Sequence, residues 1–149
     1  TNALLDRLQG KLFLIVCNHD NRYLRSKTFH KERFGWVYPY AELHEDGRKV
    51  VLSHYPIACY NGQYLKNKKG EPRTYMLYGH VHDTMDQRLI EQFSDITRST
   101  VRTGRDGKEM HIPCNMINCF CMYSDYTPLT LDEWIICDKE RREQYGKRS

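Results

Sequence analysis

Short apolar runs alternate with polar clusters along this chain, and three of the runs end in the same way. Leu12-Phe13-Leu14-Ile15-Val16 leads into Cys17-Asn18-His19-Asp20. Val50-Val51-Leu52 leads into Ser53-His54-Tyr55-Pro56, and Tyr75-Met76-Leu77-Tyr78 into Gly79-His80-Val81-His82-Asp83. Runs this short, apolar at successive positions, read as buried strands. Each would carry a histidine-bearing cluster just past its last residue. In open α/β sheets that carboxyl edge is where ligands bind.

The rest of the pattern predicts the elements between. Asn2 caps a short helix with Leu4, Leu5 and Leu8 on one face and Gly10 beyond its end. Residues 21–34, polar and basic with scattered aromatics, read as a second helix ending near Gly35. Residues 36–43 read as a strand broken or bordered by Pro39. The turn Glu45-Asp46-Gly47 and a returning strand over 48–53 make a hairpin that delivers His54 to its end. Residues 61–73, rich in Gly, Asn and Lys, form either a solvated loop or a basic lip that draws a phosphorylated substrate. Residues 83–93 carry Met85, Leu89 and Phe93 at helical spacing. Residues 95–108 are polar and turn-rich, and 110–122 contain strand. Thr130-Leu131-Asp132-Glu133 opens a last helix as a capping box, and the charged tail 138–149 is expected to fray. Patterning alone therefore gives a mixed α/β domain.

Composition narrows the class. A chain of 149 residues with 40% hydrophobic and 28% charged positions reads as one globular domain, 1–149. No apolar run approaches the roughly 20 residues of a membrane span. The first stretch is amphipathic, unlike a signal peptide. A cytoplasmic protein is expected, with its 6 cysteines as reduced thiols, and they fit no paired Cys-x-x-Cys zinc pattern. The net charge of +4 suits a phosphate-bearing ligand without requiring one. Nucleic-acid binding rests only on the basic stretch 66–73 and the tail, with no reading motif behind it.

The histidines carry the candidate chemistry. His80 and His82, one residue apart, can point to one side of an extended backbone. Neutral imidazoles so placed are good ligands for divalent transition metals, and Gly79 leaves the backbone free to turn where the strand stops.

Asn18-His19-Asp20, Ser53-His54-Tyr55-Pro56 and Gly79-His80-Val81-His82, in this order and each after a strand, resemble the signature segments of the calcineurin-like metallophosphoesterase superfamily. The resemblance runs from about Leu4 to Ile135, and the stretch from Asn118 to Glu133 looks like the end of small bacterial and phage single-domain members. It implies a layered α-β-β-α sandwich and hydrolysis of a phosphomonoester or phosphodiester, a nucleotide among the candidates. It also implies two divalent ions (manganese, iron, zinc, nickel or cobalt), which lower the pKa of an attacking water and offset phosphoryl charge. By resemblance, Asn18, His54 and His80 would bind the second ion and His82 the first. His19 would protonate the leaving oxygen or stabilise charge there, and Asp20 would orient the His19 ring.

The chain departs from that pattern in two places. Cys17 stands where the family has Gly. More seriously, the family's earlier Asp-x-His and Gly-Asp strand ends, which supply ligands of the first ion and a bridging carboxylate, occur nowhere here. The expectation is that the family's first two strands are missing, in a fragment or a naturally short relative. Exposed sheet edges and apolar faces should follow, covered by a second copy or a separately supplied N-terminal segment. The alternative is a catalytically inactive remnant of the fold that acts through binding.

Overall fold

Strands that run parallel leave their last residues at one edge of a sheet, and this chain is folded around such an edge. The computed structural model describes residues 2–146. In chain order the elements are α1 (Asn2–Leu5), β1 (Leu12–Ile15), α2 (Asn21–Leu24), β2 (Phe34–Tyr38), β3 (Tyr40–Glu45), β4 (Arg48–Ser53) and β5 (Thr74–Tyr78). Then follow α3 (Met85–Ser99), β6 (Val101–Thr103), β7 (Glu109–His111), β8 (Met116–Asn118) and α4 (Leu131–Gly146). A four-stranded sheet has the order β3-β4-β5-β8, with β3 antiparallel to β4 and the other pairs parallel. β1 and β2 pair in parallel apart from it, and β6 and β7 form a small hairpin. The fold is mixed α/β.

Alternation along β5 sorts the two faces of the main sheet. Thr74, Met76 and Tyr78 are buried, while Tyr75 and Leu77 are half-buried. On the first face Val51, Met76 and Met116 join Tyr60, Tyr78, Val81 and Cys114 in the core, packed by Ile90 and Phe93 of α3. Burial of each large apolar side chain there contributes about 1.5–3 kcal/mol. On the second face Val50, Leu52 and Leu77 look into an open groove of about 820 Å³, bounded by Ile15 and by Leu131 and Trp134 of α4.

α4 begins at the capping box. The Thr130 amide donates to Glu133 Oε2 (2.7 Å), and the Glu133 amide to Thr130 Oγ1 (3.4 Å). Arg48 pairs with Asp132 and ties this end to β4. Arg141 pairs with Glu91 of α3 (2.5 Å) and with Asp138 (2.8 Å), and Arg142 donates to the Met116 carbonyl (3.1 Å). Those contacts keep the charged stretch helical through Gly146, where fraying was expected; residues 147–149 lie outside the described ones.

Other elements differ from the sequence pattern for local reasons. Residues 21–34 hold only the one turn of α2 and a 3-10 turn, Lys31–Arg33. Ser26 and Thr28 bond to each other and to nearby backbone, a competing option that interrupts the helix. Pro39 divides 36–43 between two sheets, since β2 joins β1 and β3 joins β4. α3 continues to Ser99, where Arg98 donates to the Cys114 carbonyl (3.0 Å) and Asp95 (2.5 Å). The six cysteines are free thiols. Among the described residues no helix is long and apolar enough to cross a membrane.

Candidate metal centre

The carboxyl ends of β1, β4 and β5 supply the polar cluster. The His54 carbonyl, one residue past β4, accepts from the Gly79 amide (3.1 Å) and the His80 amide (2.9 Å). The ends of β4 and β5 are thereby stitched together, and His54 is set against His80. After β1 the chain turns tightly: the Asp20 amide donates to the Cys17 carbonyl (3.2 Å), and the Cys17 amide to Asp20 Oδ2 (2.8 Å). That turn presents Asn18 and His19.

His54 Nε2 stands beside two further donor atoms. His54 Nε2 lies 2.8 Å from Asn18 Oδ1 and 3.0 Å from His80 Nδ1. His19 Nε2 lies 3.1 Å from Asn18 Nδ2 on the exposed side. Burial, then the neighbouring His80, pushes the pKa of His54 down. A neutral ring keeps a lone pair free for a ligand role. Donors in adjacent positions of an octahedral ion, each bonded at about 2.1 Å, stand about 3.0 Å apart. Each of the two pairs, Asn18 Oδ1 with His54 Nε2 and His54 Nε2 with His80 Nδ1, has the spacing of adjacent ligands on such an ion.

Other expected participants stand differently. His82 has φ +49° and its ring stacks on Phe120, with centroids 4.6 Å apart at 17°. It is near enough for its charge to bear on His54, but no hydrogen bond joins its ring to the other three among the described residues. Asp20 closes the Cys17 turn, where orientation of the His19 ring was expected. No group of three or more His, Cys, Asp or Glu that could hold a metal occurs among the described residues. The loop 61–73 finishes at the other end of the sheet. The Lys49 amide donates to the Arg73 carbonyl (2.9 Å), and Arg73 to the Gly47 carbonyl (3.3 Å). At about 3.3 Å per residue, the length of β4 separates the Arg73 end of that loop from His54 by roughly 15 Å, while Asn61 at its other end donates to Oε1 of Glu42 (3.0 Å), a residue that pairs with Val51.

Supporting residues carry little signal in the sequence. Asn118 Nδ2 donates to the His82 carbonyl (2.7 Å) and to Gln87 Oε1 (2.9 Å), while its Oδ1 accepts from the Phe120 amide (3.1 Å). It holds the left-handed turn at His82, an uncommon conformation for a residue with a side chain. Tyr55 lies against both site imidazoles, 5.0 Å from the His54 ring and 4.4 Å from the His80 ring. The only hint of either role was position: Asn118 at the end of an apolar run and Tyr55 beside a histidine.

Comparison with models of known protein families finds no match. Comparisons with curated proteins and with solved structures likewise find none.

Proposed function

We propose that this chain carries the histidine side of a metal-dependent phosphoesterase site, hydrolysing a phosphomonoester or phosphodiester. The observation that carries the reading is the placing of His54 Nε2 2.8 Å from Asn18 Oδ1 and 3.0 Å from His80 Nδ1 at the ends of three separate strands. A divalent ion held there would supply charge for the phosphoryl oxygens and a water of lowered pKa. The chain's own residues do the rest. Asn18 and the two histidines orient the site, and exposed His19, beside Asn18, offers a proton to the leaving oxygen. His82 would serve the other ion, the first by resemblance, only with carboxylates from outside these residues. The resemblance to the calcineurin-like metallophosphoesterases, and to their layered sandwich, supports the same reading.

A covering polypeptide belongs to the proposal. A pair of parallel strands such as β1 and β2 needs burial. The groove of about 820 Å³ beside Ile15 is lined by half-buried Leu52, Leu77 and Trp134 and by exposed Leu43. A second copy or a separate strand-bearing segment fits there. The second reading, an inactive remnant acting through binding, is favoured by the lack of a three-residue His, Cys, Asp and Glu group among the described residues. Metal content, measured beside hydrolysis of a chromogenic phosphodiester with added manganese, separates the two. Bound metal with turnover supports the enzyme, and bound metal without turnover, after a covering segment is added, supports the remnant.

A further inference from the structure

Tyr55 is an exposed aromatic ring held at a polar cluster, and the metal reading gives it no task. It is 49% exposed. One part of the ring rests on the imidazoles of His54 and His80, at 5.0 and 4.4 Å between centroids. The rest faces solvent beside those donors.

The backbone on both sides of Tyr55 is restrained. Pro56 follows it, and a residue before proline is driven to extended conformations. His54 precedes it, with its carbonyl fixed by the amides of Gly79 and His80. The ring therefore meets a ligand with little conformational freedom left to lose, which is what makes an aromatic side chain an effective contact. Flat π-systems stack on such rings, and for nucleobases the gain is several-fold to about a hundredfold in affinity.

We propose that Tyr55 is a specificity-determining residue that stacks on a planar aromatic group of the phosphate ester, so that the substrate is an aryl or nucleoside phosphate. This rests on the phosphoesterase reading, because the ester's phosphate must sit at the cluster for its aromatic part to reach Tyr55. The shared chemistry is a flat π-system one ester linkage from a phosphate. A phenyl group and a nucleobase differ in reach, since the base is spaced from the phosphate by the sugar.

The test is calorimetric binding to the full chain loaded with Mn²⁺, using AMP, phenyl phosphate and ribose 5-phosphate. The readout is the affinity ratio of each aromatic ester to ribose 5-phosphate. The expected ratio is about tenfold for at least one aromatic ester, kept in Tyr55→Phe and falling to about one in Tyr55→Leu. Whichever ester shows the preference identifies the source. Equal affinities in the wild-type chain, or a preference that survives Tyr55→Leu, would overturn the proposal while leaving the phosphoesterase reading intact. Failure of every phosphate ester to bind, ribose 5-phosphate included, would instead sink that reading and this inference with it. Far-UV circular dichroism and bound Mn²⁺, measured for each variant, separate a lost ring from a lost fold.

Discussion

Replacing Asn118 by Ala probes how the histidine loop is held. The side chain is 1% exposed and makes three hydrogen bonds, two donated to the His82 carbonyl and Gln87 Oε1 and one accepted from the Phe120 amide. Each is worth about 1 kcal/mol net, and a buried partner left unpaired costs about 1–3 kcal/mol. Asn118→Ala should therefore destabilise the fold by about 3 kcal/mol. With a urea slope of about 2 kcal/mol per molar, the midpoint falls by about 1.5 M in unfolding followed by circular dichroism. Amide exchange at Val81 and His82 should accelerate along with it. Asn118→Asp is the sharper variant. Gln87 Oε1 already accepts from the Tyr78 hydroxyl, and its Nε2 donates to Glu91, so the amide cannot turn to meet a carboxylate without breaking both bonds. The introduced carboxylate would face two acceptors, and its folded pKa would rise above the unfolded value. Stability should then be recovered as pH falls toward about 4 and lost as pH rises. A loss below about 1 kcal/mol for Asn118→Ala, with unchanged exchange, would refute the argument that this side chain holds the turn.

Further outcomes follow from named groups. Because the folded pKa of His54 is pushed down by burial, the unfolded chain takes up a proton there first. In EDTA, stability should be complete above about pH 6.5 and decline as pH falls below it. Acid titration followed by tryptophan fluorescence should show that decline weakened in His54→Gln. Glu42, bonded by Lys49, Tyr40 and Asn61, has its pKa held down at about 2. Its contribution is present above about pH 4.5 and lost as pH falls from there toward about 2. Since Lys49 is 6% exposed, Glu42→Gln strands a buried ammonium and should cost about 2–3 kcal/mol by urea unfolding, short of a fully buried pair because Glu42 keeps some solvent. In a catalytically complete form, His19→Ala should cut turnover and leave bound metal nearly unchanged; loss of metal would make His19 a ligand.

The parts of the fold legible in the sequence were those set by local chemistry. The strands before the three histidine clusters, the hairpin turn at Glu45-Asp46-Gly47 and the Thr130–Glu133 box each rest on adjacent residues, and each stands in the structure. What escaped depended on partners far along the chain. α4 keeps its shape past Asp138 because Glu91 and the Met116 carbonyl meet its arginines. The loop 61–73 is basic, but where it ends is decided by the parallel direction of β4 and β5, which takes Arg73 to the start of β4 and away from His54. Three histidine-bearing strand ends could be read from the pattern, whereas the grouping of Asn18 with His54 and His80 was implied only by the resemblance of those segments to a known family. The stacking of His82 on Phe120 could not be read, because it turns on a backbone conformation at His82 that is held in part by the distant Asn118.

The proposed metal site stands or falls on whether the ends of β1, β4 and β5 bind a divalent ion. The direct measurement is Mn²⁺ binding to the full chain, read from the free-ion electron paramagnetic resonance signal, for wild type and three single variants. One ion per chain should bind, lost in His54→Ala and His80→Ala and kept in His82→Ala. No binding by the folded wild-type chain, or binding that survives His54→Ala, would contradict the proposed site.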